Sequence, residues 1–221
     1  MKRSLAIKLL AFTMLAAASP ARADFLFQAT LTHDQEVITP GIPNEGSSGI
    51  ATFLLNDART TLTYDVRLFG LDLRGVSATG VPGQTIPGEP VGSPARNDNL
   101  TRLHIHRQFL GVNGNIVFGM IDANPDQRND ADDLVIDIPG LHVTGVWDLN
   151  EGSRQPGQQT TLAAELGNLF ADGLYINVHT EDHGGGEIRG QILGVPEPGS
   201  LALVGIGALG LIGTALRRRR A

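Results

Sequence analysis

The stretch Thr61-Leu62-Thr63-Tyr64-Asp65-Val66-Arg67-Leu68 decides the fold class of this chain. Its apolar and polar side chains alternate, so the apolar set falls on one face of an extended strand and the polar set on the other. The turn-forming sequence Asn56-Asp57-Ala58-Arg59 comes directly before it. This alternation predicts a half-buried β-strand.

Eight further runs show the same alternation or are rich in β-branched residues, and Gly, Pro, Asn and Asp separate them. Together with Thr61–Leu71 they are Phe25–Thr32, Gly49–Leu55, Leu100–Gln108, Ile116–Ile121, Leu134–Ile138, Val143–Trp147, Leu174–Thr180 and Glu187–Leu193. We therefore predict an all-β domain, an antiparallel β-sandwich or barrel of about nine strands.

Two segments depart from this pattern. Thr160–Phe170 places Leu162, Leu166 and Leu169 at helical spacing, which predicts one short helix packed on the sheet. Residues 74–99 contain four prolines and several glycines, which predicts a long surface loop.

Charge is distributed unevenly along the chain. Residues 24–194 hold nine arginines, no lysine and 22 of the 23 acidic residues, which leaves thirteen net negative charges. That sign argues against nucleic acid as a partner and favours cations or basic surfaces. The chain has no cysteine and neither a Gly-x-Ser-x-Gly elbow nor a phosphate-binding loop. We therefore predict no catalytic residues.

Residues 1–23 have the order of a secretory signal peptide. Basic residues precede the apolar run 9–18, and Ala21-Arg22-Ala23 offers the small side chains that signal peptidase needs. We expect cleavage between Ala23 and Asp24, so that residues 24–194 form one exported domain. The alternative is a retained anchor, but the apolar run is shorter than the roughly 20 residues of a spanning helix.

The motif Pro196-Glu197-Pro198 opens the C-terminal segment 195–221. The uncharged residues 201–216 follow, for which we predict a transmembrane helix, and then a membrane-stop tail of Arg217, Arg218, Arg219 and Arg220. This order resembles the PEP-CTERM sorting signal of Gram-negative bacteria. The resemblance implies export across the inner membrane, transient membrane anchoring, processing by an exosortase, and a final place at the cell surface or outside the cell. An ordinary tail anchor is the alternative.

A second resemblance covers about residues 25–193. Leu103-His104-Ile105-His106, Tyr175-Ile176-Asn177-Val178-His179-Thr180 and Gly186-Glu187-Ile188-Arg189-Gly190-Gln191 stand in the order and spacing of the CHRD domain, which is named after chordin. In animal chordin these domains belong to an extracellular binder of bone morphogenetic proteins, and no catalytic residues are assigned to the family. The resemblance implies an extracellular binding module.

Four histidines form two pairs. His104 and His106 would lie on one face of a strand, about 7 Å apart, and His179 and His183 stand beside a run of glycines. These patches are similar to the copper/zinc superoxide dismutases, which use a His-x-His strand and a later His-Gly-Gly segment. If the two strands are neighbours, the four imidazoles could hold zinc or copper. The alternative, which we prefer at this stage, is that they only make hydrogen bonds along the sheet and that no cofactor is bound.

An acidic stretch follows the strand Ile116–Ile121. Its oxygen-bearing side chains are spaced like those of a helix-flanked calcium loop, at Asp122, Asn124, Asp126, Asp130 and Asp133. However, Gln127 stands where that loop needs glycine, and the flanking residues read as strands. A calcium site and a solvated acidic turn both remain open.

Two functions follow from these observations. The first is an exported, envelope-sorted, non-enzymatic β module that binds a matrix component, a polysaccharide or a protein. The second is a histidine-ligated copper/zinc metalloprotein with superoxide-dismutase-like chemistry.

Overall fold

The computed structural model of the chain describes residues 24–37, 46–73, 99–122, 124, 126–130 and 132–196. These residues form ten strands, one α-helix and a short 3-10 turn at His33–Gln35. The elements are β1 (Phe25–Thr32), β2 (Ser48–Leu55), β3 (Thr61–Phe69), β4 (Leu100–Arg107), β5 (Ile116–Ile121), β6 (Val135–Asp137), β7 (His142–Asp148), α1 (Leu162–Phe170), β8 (Leu174–Thr180), β9 (Ile188–Gln191) and β10 (Leu193–Gly194).

The predicted all-β class is confirmed. Nine strands lie in one continuous sheet in the order β5, β4, β8, β9, β1, β2, β3, β7 and β6, and the two-residue β10 pairs with β1. Every pairing of these strands is antiparallel. The sheet is curled like half a barrel, so of the two predicted arrangements the structure has the curvature of a barrel and not two packed sheets.

Aromatic residues show how far the sheet curls. Phe118 of β5 stacks on Trp147 of β7 with ring centroids 4.7 Å apart, and it meets the ring of Tyr64 on β3 edge-on at 6.3 Å. Strand β5 is one end of the sheet and β7 is next to the other end. The two ends therefore face each other across the apolar core.

The alternation that predicted β3 is confirmed by burial. Leu62, Tyr64, Val66 and Leu68 are buried in the core, whereas Thr63 and Arg67 point to solvent. Removal of the leucine and valine side chains from water stabilises the fold by roughly 1.5–3 kcal/mol each.

Helix α1 begins two residues after the predicted start. The Thr161 side chain caps it by accepting a hydrogen bond from the Ala164 amide at 3.3 Å. The buried Glu165 then accepts hydrogen bonds from Arg107, the last residue of β4, from Thr160 at 2.5 Å and from Asn168 at 2.7 Å. The helix is thus tied to the end of a strand that carries two of the paired histidines.

Several predictions fall on residues outside the described part. These are the signal peptide 1–23, nearly all of the loop 74–99, Glu197 and Pro198 of the sorting motif, the transmembrane helix 201–216, and Arg217, Arg218, Arg219 and Arg220. Within the described residues, no helix has the length and apolarity that a membrane crossing requires.

Strands β4, β8 and β9 are covered on both faces. Their core face carries apolar side chains such as Ile105 and Val178, while their other face is polar yet also buried. All seven residues of β8 are buried. The buried polar face holds His104, His106, Tyr175, Asn177, His179, Arg189 and Gln191.

Candidate metal centre

Three histidines meet on this polar face. The antiparallel register sets His104 opposite Asn177 and His106 opposite Tyr175, which places His179 diagonally across from His104 on the neighbouring strand. The strands that carry these histidines, β4 and β8, are neighbours in the sheet, as a shared metal site requires. One potential ligand nitrogen from each of His104, His106 and His179 lies within 4.8 Å of the other two.

Each of the three rings is held through its other nitrogen. Nε2 of His104 is bonded to the Asp122 carboxylate at 2.5 Å. Nδ1 of His106 donates to the carbonyl of Gly114 at 3.0 Å, and Nδ1 of His179 donates to the carbonyl of Gly184 at 3.1 Å. An acceptor on one ring nitrogen leaves the lone pair of the neutral imidazole on the other nitrogen.

The nitrogens that carry these lone pairs are buried and make no hydrogen bond. They are Nδ1 of His104 and Nε2 of both His106 and His179. Buried polar atoms are ordinarily paired, and leaving one unpaired costs on the order of 1–3 kcal/mol. Three neighbouring rings that each keep one unpaired nitrogen, and that are each held through the other nitrogen, have the arrangement of a metal site whose outer hydrogen bonds orient the ligands.

Electrostatics keep the three rings neutral. Burial, followed by the influence of His104, lowers the pKa of His106 to about 3. Burial and His104 likewise lower the pKa of His179 to about 3. Burial also lowers the pKa of His104 despite its bond to Asp122. Only a neutral imidazole can bind a metal ion, so all three are ready to bind at neutral pH.

Asp122 is ionised in this arrangement. Burial acts to raise its pKa, but the hydrogen bonds from His104 and from the Asn124 amide outweigh burial and the net pKa is lowered. The pair therefore consists of a carboxylate and a neutral imidazole, the combination that strengthens a histidine ligand.

Gly114 brings the loop after β4 close to the site. A Cβ atom at this position would lie 1.6 Å from the carbonyl oxygen of Arg107, so only glycine fits. Its carbonyl accepts from His106, and its amide donates to the Tyr175 hydroxyl at 3.1 Å. This residue thus holds a ligand and the aromatic ring that stacks on that ligand at 4.9 Å.

His183 is not brought into this group. It is buried, and both of its ring nitrogens lack a hydrogen-bond partner, but the described residues give only one group that could hold a metal ion, and that group contains the other three histidines. Its backbone amide donates to Oγ1 of Thr180 at 3.2 Å. The loop that carries His183 instead supplies the Gly184 carbonyl to His179.

The structure separates the acidic side chains for which a calcium loop was considered. Asp122 binds His104, Asp130 accepts a hydrogen bond from the Tyr64 hydroxyl, and Asp133 accepts one from the Val146 amide at 2.7 Å. Asn124 and Asp126 are exposed. Among the described residues these five form no group placed to hold a metal ion, and the calcium site stays a prediction.

Three residues at the site were not predicted from the sequence to belong to it. The sequence offers Asp122 only as a candidate calcium ligand, and it gives neither Tyr175 nor Arg189 a role at the site. Arg189 is fully buried, and its guanidinium carbon lies 3.4 Å from the centroid of the Tyr175 ring. Tyr175, Asn177 and His179 alternate along one strand, so the period of two could have shown that they share a face.

Comparison with known families identifies the domain that carries this site. A family model described as the CHRD domain matches residues 27–192. The chain belongs to the CHRD domain family. The three histidines of this CHRD domain therefore lie inside the matched region. No curated protein and no solved structure matches the chain.

The segment after the CHRD domain is a second match. A PEP-CTERM protein-sorting motif covers residues 194–220, as the resemblance implied. The protein is thus an exported, sorted β-domain protein. The motif implies processing by an exosortase and membrane-anchoring processing in a Gram-negative bacterium.

Proposed function

We propose that the exported CHRD domain binds one transition-metal ion through His104, His106 and His179. Two observations carry the proposal: one ring nitrogen of each histidine lies within 4.8 Å of the other two, and each ring keeps one buried nitrogen without a hydrogen-bond partner. Neutral imidazoles suit zinc and copper, whereas calcium and magnesium prefer oxygen ligands. The ion is therefore zinc or copper.

A purely structural role for the three histidines accounts less well for these contacts. A histidine that only ties strands together gains most when both ring nitrogens are bonded, because an unpaired buried nitrogen is costly. Here each ring has one bonded and one unpaired nitrogen. A bound metal ion would offset all three unpaired nitrogens at once.

Metal content tests this proposal directly. The full chain, purified without a histidine tag, is expected to hold close to one zinc or copper ion, and His106→Gln and His179→Gln are expected to lose it. His142→Gln is the matched control, because His142 contacts Asp65 on the outer side of the fold. A folded wild-type protein that takes up no zinc or copper would refute the metal site.

Superoxide-dismutase-like redox chemistry is the narrower alternative. It requires copper at the three histidines and a coordination position that a small molecule can reach. Zinc as the only retained ion, or copper that does not cycle between its two oxidation states, would exclude it.

We also propose that the domain is a non-enzymatic binding module for a matrix component, a polysaccharide or a protein. The CHRD domain is not a known enzymatic family. A cleft of 750 Å³ lies where the domain meets the sorting motif, and its lining includes Phe109, Leu110 and Leu193, which are exposed. Exposed apolar side chains beside polar ones are typical of a ligand-binding cleft.

Cosedimentation with isolated extracellular polysaccharide or matrix protein tests this second proposal. Leu110→Asp is expected to abolish binding without loss of fold, because Leu110 is 63% exposed. Val135→Asp is the matched control, since Val135 is 60% exposed on β6, away from the cleft. Equal binding by both variants and the wild type would refute the role of the cleft.

A further inference from the structure

Arg102 lies beside the three histidines. It shares a face of β4 with His104 and His106, and the register sets it directly opposite His179. The side chain is half-buried, and no ion pair joins it to an acidic residue in the described part of the chain. The polar face thus carries, next to the proposed metal, a positive charge that no ion pair within the described residues neutralises.

The described part of the chain places no second carboxylate against the three histidines to balance a metal ion. Asp122 is the one carboxylate in contact with the histidines among the described residues, and it is already bonded to His104. A divalent ion would therefore sit among three neutral rings, one carboxylate and the nearby guanidinium of Arg102. The net charge of this group, with the metal ion included, is positive, and it favours a negatively charged fourth ligand.

Three protein ligands leave at least one position in the coordination shell of such an ion for this group. Zinc and copper sites of this kind take at least four ligands, and a site with three protein ligands keeps one position for an exogenous group. Of the three ligands, His106 is 8% exposed and His179 is 6% exposed, while His104 is fully buried. Access is therefore narrow and admits only small species.

We propose that the metal ion held by His104, His106 and His179 takes a small monovalent anion as its fourth ligand, and that Arg102 stabilises this anion. The inference rests on the proposed metal site. It assigns Arg102 a role in anion binding rather than in metal binding, because a positive charge opposes the uptake of a cation.

Azide titration of the copper-loaded full chain tests the proposal. Azide that coordinates Cu(II) produces a charge-transfer absorption band, from which its affinity is measured. Arg102→Gln is expected to weaken azide binding about tenfold while copper content stays at the wild-type level. Arg102→Lys is expected to restore part of the affinity. The matched control is Arg67→Gln, since Arg67 is exposed on β3 beside Asp65.

The outcomes separate the two proposals. If copper is retained but azide gives no band, or binds the wild type and Arg102→Gln equally, the anion inference is wrong and the metal site stands. If the folded wild-type protein retains no copper or zinc, the metal site itself is wrong, and the anion inference is overturned with it.

Discussion

The carboxylate of Asp122 lies 2.5 Å from Nε2 of His104, and both side chains are buried. Because Nε2 is engaged, His104 has only Nδ1 free for a metal ion, whereas His106 and His179 present Nε2. This mixed pattern follows from the end of β5, because Asp122 comes directly after Ile121, which pairs with Leu103 beside His104 on β4. One carboxylate and two backbone carbonyls therefore hold the three imidazole rings in place, each through the ring nitrogen that is not available to a metal ion.

Asp122→Asn is expected to weaken zinc affinity about 10–100-fold. The amide keeps the size of the side chain but loses the negative charge that polarises His104. Competition with a chromophoric chelator measures the change, and Asp137→Asn on the exposed strand β6 is the control. An unchanged affinity in Asp122→Asn would show that His104 does not ligate the metal.

Metal retention is expected to persist in acid well below the ordinary histidine range. Burial lowers the pKa of His106 and His179 in the folded protein to about 3, so protons do not compete for these rings near pH 5. Equilibrium dialysis of the zinc-loaded protein at pH 8, 6.5 and 5 measures this. Half-release near pH 6.5, the unperturbed histidine value, would contradict it.

Two glycines have backbone carbonyls that accept hydrogen bonds from histidines. Replacement by alanine is expected to be disruptive at one of them and harmless at the other. Gly114→Ala places a Cβ atom 1.6 Å from the Arg107 carbonyl oxygen, so the loop must move and His106 loses its acceptor. Gly184→Ala meets no atom within 4 Å and leaves the carbonyl that holds His179 in place.

Thermal unfolding and zinc affinity of these two variants measure the difference. Gly114→Ala is expected to be destabilised by about 2 kcal/mol or more and to bind zinc weakly, while Gly184→Ala stays near the wild type. Equal behaviour of the two variants would argue against a fixed loop at Gly114.

The stability of the fold is expected to depend on pH through Asp130. Burial, together with the nearby Asp133 and Glu151, raises the pKa of Asp130 to about 7 although Tyr64 donates a hydrogen bond to it. The folded state thus binds a proton that the unfolded chain releases near pH 4. Asp130 therefore lowers the free energy of unfolding as the pH rises from about 4 to 7.

Asp130→Asn is expected to remove this contribution. The loss of stability between pH 5 and pH 8 should be smaller in the variant than in the wild type, by about 1–3 kcal/mol. Urea denaturation at the two pH values measures it, with the exposed Asp126→Asn as control. The same loss in wild type and Asp130→Asn would show that the carboxyl titrates normally.

The sorting motif is expected to control where the protein goes and not whether it folds. Replacement of Pro196, Glu197 and Pro198 by alanine is expected to block exosortase processing and leave a longer, membrane-retained form, because the matched motif implies that processing. Fractionation and intact-mass measurement detect this. Normal processing of the variant would contradict the assignment.

Local patterns in the sequence predicted most of the strands. The period of two in Thr61–Leu68 predicts that one face of the strand is buried, and the structure buries that face. The predicted strand Glu187–Leu193 divides into β9 and β10, because Gln191 pairs with Tyr175 of β8 while Leu193 pairs with Gln28 of β1. Such a change of partner leaves no mark in hydrophobic periodicity.

The sequence predicted the histidines on the strands but not the rest of the site, for a similar reason. His104, His106 and His179 lie on regular strands, where spacing fixes the direction of a side chain. His183 follows in a loop, where a spacing of four residues fixes nothing. The role of Asp122 depends on the pairing of β4 with β5, whose register shifts on either side of His104 and Ile105. Spacing along the chain could not reveal that shift.

X-ray absorption spectroscopy of the zinc-loaded full chain tests the central claim most directly. The account predicts a four-coordinate ion with three imidazole nitrogens at about 2.0–2.1 Å, and no such spectrum from His179→Gln, which is expected to hold no zinc. A spectrum dominated by oxygen ligands, or one unchanged by His179→Gln, would contradict a metal centre at His104, His106 and His179.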